Sequence, residues 1–236
     1  TGGINQRAFA RLIRTADAIT AVSNDLLAQV ARRVPDAKGE MVTVHGGANA
    51  EFFAEYNRPP VAMHPPYILF VARMHPVKDH ATLLRAFRRV KDRNISDCQL
   101  YLAGSGEREK ALRALCGELG LERDVRFLGT VEPQHLARLN RDSLFTVLSS
   151  TSEGMPLTVI ESFATGRSTV ATDVGGVSEL VEDGVNGYLV PIGDEAVMAE
   201  KMIRLLSDPA QAKAFGERAR ATVEKGYSWE ANAERY

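Results

Sequence analysis

From residue 67 onward the chain alternates short, almost purely apolar runs with longer stretches whose apolar residues recur every three or four positions. The runs at 67–72, 99–103, 125–128, 144–148, 169–172 and 187–190 lack polar alternation, so each predicts a strand covered on both faces. The stretches between them predict helices. In 79–91, Leu83, Phe87 and Val90 share one face while Arg85, Arg88 and Arg89 point away, and in 107–119 Ala111, Leu112 and Leu115 turn inward. Further helices are predicted over 194–207 and 209–225, and Ser228 is placed to cap a last one. This alternation predicts an α/β fold: a Rossmann-like parallel sheet of six strands with right-handed crossovers and helices on both faces. Ligands of such sheets lie beyond the carboxyl ends of the strands, where the strand order reverses.

The first 50 residues carry a different pattern. A helix is predicted over 5–15, a strand at 18–22, a helix capped by Ser23 and running to about 33, and a strand at 41–44. Two strands do not make a stable domain. The expectation is that 1–50 is the tail of another domain, that 51–66, rich in proline, is a linker, and that 67–225 forms a domain of its own. The start Thr-Gly-Gly-Ile has no initiator methionine, which agrees with a fragment. Apolar surface left uncovered on 1–50 predicts self-association of such a fragment.

Composition narrows the class without naming it. Charged residues at 25% and hydrophobic residues at 44% describe a soluble globular protein. A net charge of −1 gives no support for a nucleic-acid surface. Cys98 and Cys116 fall in a predicted strand and helix, form no metal-ligand pattern and read as reduced, buried thiols of a cytoplasmic protein. No apolar run approaches the roughly 20 residues of a membrane span, and the first residues have no signal-peptide character. His75, His80 and His135 stand singly and read as surface or capping residues.

The chemistry concentrates in 149–162, Ser-Ser-Thr-Ser-Glu-Gly-Met-Pro-Leu-Thr-Val-Ile-Glu-Ser, which follows the fourth strand. Gly154 frees the backbone and Pro156 suits a first helical position, which makes Met155 the N-cap. Methionine offers no side-chain oxygen there, so the amides of Leu157 and Thr158 stay free for an anion at the positive end of the helix. Glu161 emerges on the same face one turn deeper, and Glu153 stays in the loop on the far side of the anion. Arg73 and Lys78, five apart after the first strand, supply a guanidinium fork and a point charge for a diphosphate. A ligand with hydroxyls at both ends and phosphate in the middle, a nucleotide-sugar, fits this arrangement. Surface loop charges would give the same spacing by chance.

Gly104-Ser105-Gly106 is a second glycine loop, but Glu109 stands where a dinucleotide fingerprint needs a third glycine. It reads as a tight strand-to-helix turn near a ligand rather than an NAD site. Gly175-Gly176 after the fifth strand is either a further loop approaching the ligand or a plain connection.

Taken in order, ILFVARMHPVKDHATLLRAF (68–87), LYLAGSG (100–106), VRFLG (125–129), the glutamates eight apart at 153 and 161, VATDVGG (170–176) and ELVEDGVNGYLVPIGD (179–194) resemble the family-4 (group 1) retaining glycosyltransferases of GT-B architecture. The similarity is to their carboxyl-terminal, donor-binding half and covers nearly the whole chain. It implies that 1–50 is the remnant of the acceptor domain, a second Rossmann-like domain, and that 226–236 starts the terminal helix crossing back to it. It implies that Arg73 and Lys78 bind the donor diphosphate, that Glu153 contacts the donor sugar, and that the backbone of Gly154, Met155, Pro156, Leu157 and Thr158 touches sugar and β-phosphate. Glu161 would bind the ribose, the backbone around Arg126–Gly129, Leu128 included, would meet the base, and Gly104 would lie in the turn near the donor. Arg73, Lys78 and Glu153 would carry catalysis, without metal or other cofactor.

The implied partners are a nucleoside-diphosphate sugar and a glycan, lipid-linked or small-molecule hydroxyl acceptor held by the missing domain, through which any attachment to the inner face of the membrane would also come. Polysaccharide synthesis is one setting for such a reaction, and this half alone is expected to be inactive. The chain departs from the family at Asp79, where glycine is frequent, at Ser168, where proline is frequent, and at His45-Gly46-Gly47-Ala48, which replaces Pro-Asn-Gly-Val. A non-catalytic nucleotide-sugar module, a nucleotide-sugar epimerase or a phosphorylase would share the fold. An NAD oxidoreductase lacks its third glycine and its acidic ribose partner.

Overall fold

The computed structural model describes residues 5–224, 226–229 and 232. An amino-terminal unit comprises α1 (Gln6–Thr15), β1 (Ala18–Ala21), α2 (Asn24–Arg33) and β2 (Glu40–Thr43). β1 and β2 pair in parallel as a two-stranded sheet over a small cluster of Ile13, Ile19 and Val34. After α3 (Ala50–Tyr56) come β3 (Tyr67–Val71), α4 (His80–Asp92), β4 (Gln99–Ala103), α5 (Glu109–Glu118), β5 (Val125–Gly129), α6 (Pro133–Asp142) and β6 (Thr146–Leu148). The chain continues through α7 (Leu157–Ala164), β7 (Thr169–Thr172), β8 (Gly187–Val190), α8 (Glu195–Ser207) and α9 (Pro209–Glu224).

β3 to β8 form one six-stranded parallel sheet in the order β5-β4-β3-β6-β7-β8. Its strands are buried on both sides, as continuous apolar runs require: Ile68, Leu69 and Phe70 of β3 have no exposed surface. α4 packs against α5 and α8, while α3, α6 and α7 contact one another and α7 meets α9. The order runs outward in both directions from β3 and β6, so the crevice expected in such sheets opens above their carboxyl ends.

Residues 51–66, expected as a linker, open on a helix. Phe52 of α3 is buried in the main core, and Glu55 reaches Arg141 of α6 at 2.5 Å. The proline content that marks the stretch lies after Tyr56, at Pro59, Pro60, Pro65 and Pro66. Of the helix expected over 226–236, Trp229 and Asn232 are helical; 225, 230, 231 and 233–236 lie outside the described residues, as do 1–4. Asn232 Nδ2 donates to the His45 carbonyl at 2.9 Å, and Ala48 N to the Tyr227 carbonyl at 2.9 Å. The chain end is thereby tied to the segment leaving β2.

Candidate functional site

Two loops leave the adjacent strands β3 and β6 and are laced together. Ser149 Oγ donates to the Lys78 carbonyl at 2.9 Å, and Thr151 N to the Val77 carbonyl at 2.8 Å. A 3-10 turn at Pro76–Lys78 is capped by His75 and ends at Asp79, whose φ of 42° is left-handed. That backbone explains why glycine is frequent there in the resembling family. Asp79 holds it by capping α4, accepting from Thr82 N at 3.3 Å and Thr82 Oγ1 at 2.6 Å. Lys78 is thus aimed across the crevice, and its Nζ lies 2.7 Å from Glu153 Oε1. Glu153, expected on the opposite side of a ligand, is in direct contact with the cation. Its side chain is only 9% exposed, that of Lys78 28%. Arg73 is exposed and has no ion pair among the described residues.

The α7 helix starts one residue later than expected: Pro156 is the N-cap and Leu157 the first helical residue, with Met155 buried beneath. The proline ring sets φ at −78° but ψ stays extended at 97°, so Pro156 contributes only its carbonyl, which accepts from Val159 and Ile160. No side chain caps the helix, and the amides of Leu157 and Thr158 have no acceptor among the described residues. The anion-ready helix start survives the shift. One turn on, the Glu161 carboxyl is partly buried with no partner among the described residues, and burial pushes its pKa up to about 7.

Arg73 and Thr158 wall a common cavity of about 510 Å3, with Gly104, Ser105 and Thr130 among the other lining residues. Gly104 has φ 133°, and a Cβ there would run into the Ala72 carbonyl oxygen. The glycine loop exists so that two loop backbones can touch: Met74 N donates to the Ser105 carbonyl at 3.0 Å. Leu128, expected near a ligand's base, does not line the cavity but packs on the cluster of Tyr67, Leu69 and Ala103. Strand β5 alternates its side chains, so the wall is made instead by Thr130 and Val131 just beyond it. Ser105 Oγ and Thr130 Oγ1 lie 3.1 Å apart, a hydroxyl pair that motif spacing did not single out. A hydroxyl between the two glycines and another directly after the β5 glycine were the signals available.

The Gly175-Gly176 turn does not line the cavity and packs instead on the Glu153 loop. Gly175 has φ 57°, and a Cβ would meet the Glu153 carbonyl oxygen; Gly176 N donates to the Gly154 carbonyl at 3.1 Å. Gly175→Ala is expected to lower folding stability by about 2 kcal/mol through left-handed strain and this contact. Urea denaturation measures it, and a change under 0.5 kcal/mol would mean that the turn does not press on the loop.

His80, read as a surface or capping residue, is buried instead. It meets Phe70 edge-on at 4.7 Å between centroids, and burial lowers its pKa to about 4. His135 is exposed, and both cysteines are free and buried. No group of three or more His, Cys, Asp or Glu among the described residues is placed to hold a metal ion, and no described helix is long and apolar enough to cross a membrane.

Comparison with known proteins gives the family and the fold. The family described as glycosyl transferases group 1 matches residues 53–222. A D-inositol 3-phosphate glycosyltransferase of Nocardia farcinica is 35% identical over 175 residues, 72% of this chain and 39% of the relative. The structure of sucrose-phosphate synthase from Thermosynechococcus elongatus superposes with a TM-score of 0.85 at 27% identity, over 98% of this chain and 59% of that one. Anabaena HepE in complex with UDP-glucose superposes with a TM-score of 0.80 at 20% identity, over 98% of this chain and 65% of HepE. Residues matched to curated relatives span about half or less of those proteins.

Proposed function

The chain belongs to the group 1 glycosyltransferases, and on that premise we propose that it is the donor-binding half of a retaining enzyme that moves a sugar from a nucleoside diphosphate to a hydroxyl. One observation carries the reading. Arg73 and the open amide end of α7 wall the same cavity where the strand order reverses, with the Glu161 carboxyl one turn below.

Breaking the anomeric C–O bond leaves negative charge on the departing diphosphate. The guanidinium of Arg73, the ammonium of Lys78 and the amides of Leu157 and Thr158 stand ready for that charge before it develops, so no metal ion is needed. Glu153 would accept hydrogen bonds from the sugar hydroxyls, and Glu161 from the ribose. The base would enter the part of the cavity walled by Ser105 and Thr130. Retention follows if the acceptor attacks from the face that the diphosphate leaves, and no covalent nucleophile is assigned.

The acceptor, a glycan, lipid-linked or small-molecule hydroxyl, would be held by the part of the protein that the relatives carry outside the matched half, and a cytoplasmic location fits a nucleotide-sugar donor. Val22 and Val42 of the amino-terminal unit are exposed, and self-association of the isolated chain through this unit is part of the same reading. Uridine is the base to try first, since HepE of the same fold was solved with UDP-glucose.

Thermal denaturation against UDP, GDP, ADP and NAD, each with and without a chelator, tests the reading. One nucleoside diphosphate at a hundredfold excess over Kd is expected to raise Tm by about 5–10 °C, with no loss on chelation. Stabilisation by NAD alone, or only with a divalent cation, would overturn it.

A further inference from the structure

The Glu179 carboxylate does not line the cavity, yet among the described residues its hydrogen bonds all go to one place. Oε1 accepts from Asp25 N at 2.9 Å; Oε2 accepts from Asn24 N at 3.1 Å and from Asn24 Nδ2 at 2.8 Å. Asn24 and Asp25 open α2, so a residue 155 positions later in the chain takes two orphan amides at the positive end of a helix in the amino-terminal unit. Ser23 takes another, accepting from Leu26 N at 3.3 Å. Asn24 is itself held to β2 by Thr43 Oγ1, which donates to its Oδ1 at 2.7 Å.

Glu179 closes the same short turn whose glycines press on the loop of Glu153. Gly175 abuts the Glu153 carbonyl, and Gly176 donates to that of Gly154. On its other side Gly154 faces α2 and the residue before its cap: a Cβ at Gly154 would lie 3.2 Å from Val22 Cγ2 and 3.3 Å from Leu26 Cδ1. A continuous series of contacts therefore joins α2, Glu179, the glycine pair, the 153–154 backbone and, through Glu153, Lys78. Backbone amides bonded by a carboxylate are charge-assisted and stronger than neutral pairs, which suits a joint that must hold geometry between two units.

We propose that Glu179 is a positioning residue that couples the amino-terminal unit to the Glu153 loop, so that seating a ligand in the loop and seating α2 over it are one event. The proposal rests on the donor-site reading above. It makes the α2 amides report on a ligand that does not touch them.

Hydrogen exchange of this chain with and without saturating UDP, with GDP and ADP in parallel, tests it. In the unaltered chain, nucleotide is expected to slow exchange over both 153–160 and 24–27. In Glu179→Gln, exchange at Asn24 and Asp25 should rise about tenfold without nucleotide, and nucleotide should still protect 153–160 but no longer 24–27. Glu179→Asp should restore part of the coupling. Asn24→Asp is a second variant: it introduces an acidic residue that still suits the start of α2 while placing a like charge against Glu179; it should uncouple the two segments in the same way. Protection of 24–27 by nucleotide that persists in Glu179→Gln or Asn24→Asp overturns the coupling alone. Failure of every nucleotide to protect 153–160 in the unaltered chain overturns the donor-site reading and the coupling with it.

Discussion

Lys78→Ala is expected to weaken nucleoside-diphosphate binding by about 100-fold and to lower folding stability by about 2 kcal/mol. The two losses have separate causes. A charge-assisted contact between an ammonium and phosphate is worth about 1.5–3 kcal/mol, which is the affinity term. The stability term comes from Glu153. Lys78 is its ion-pair partner at 2.7 Å, and the carboxylate is 9% exposed. Removing the cation leaves a carboxylate in a poorly hydrated place, a situation that costs 3–5 kcal/mol when both groups are fully buried. Lys78 is 28% exposed, so water can enter and the cost is smaller. The double variant Lys78→Ala, Glu153→Gln separates the terms. It removes the stranded charge and should recover most of the lost stability, whereas affinity stays low because the cation is still gone. Calorimetric titration with UDP and urea denaturation of the three proteins read both quantities. If Lys78→Ala loses stability but keeps its affinity, Lys78 is a structural partner of Glu153 and the diphosphate site has been misplaced.

The contact also shows where reading a sequence stops. Residues 78 and 153 carry their types openly: a cation after one strand, an acid before a helix. Their meeting needs β3 and β6 to be neighbours, which the order β5-β4-β3-β6-β7-β8 supplies and local pattern does not. The strands themselves were legible to within two residues, because six apolar runs in a parallel sheet leave little ambiguity of face or period. The start of α7 moved by one residue because proline fixes φ alone, and ψ at Pro156 is extended. α3 was obscured by its surroundings: Phe52, Phe53 and Tyr56 have helical spacing, but the prolines that follow dominate the composition of 51–66. Leu128 shows a subtler limit. The strand end was placed one residue early, and the wall of the cavity falls beyond it, at Thr130 and Val131. Glu179 had no local signal at all, since its partners are amides 155 residues earlier.

Glu161→Gln is expected to abolish a pH dependence that the unaltered protein shows in both stability and binding. Burial without a partner raises the Glu161 pKa from 4.5 to about 7. The folded state therefore keeps a proton that the unfolded state releases. Stability from this group is complete below pH 4.5, falls as pH rises through 7, and stays low above that, a total of roughly 3 kcal/mol. Glutamine carries no charge to desolvate, so the ligand-free variant should be the more stable protein at pH 8 and no different near pH 4. Binding runs the other way. If ribose hydroxyls donate to this carboxylate, a ligand favours the ionised form, and below pH 7 it must first drive the proton off. Affinity for a nucleotide-sugar should rise about tenfold or more between pH 5.5 and 7.5 and then level, because at most one proton is released per ligand bound. A nucleotide-sugar is the better probe than UDP, whose terminal phosphate titrates in the same window. For Glu161→Gln the affinity should be flat with pH and about tenfold weaker at pH 7.5, since the amide offers a neutral acceptor in place of a charged one. Titration calorimetry at three pH values and thermal denaturation at two decide the matter. A pH slope in binding that survives in Glu161→Gln would place the ribose away from this carboxyl, and an unaltered stability at pH 8 would mean that the carboxyl is hydrated after all.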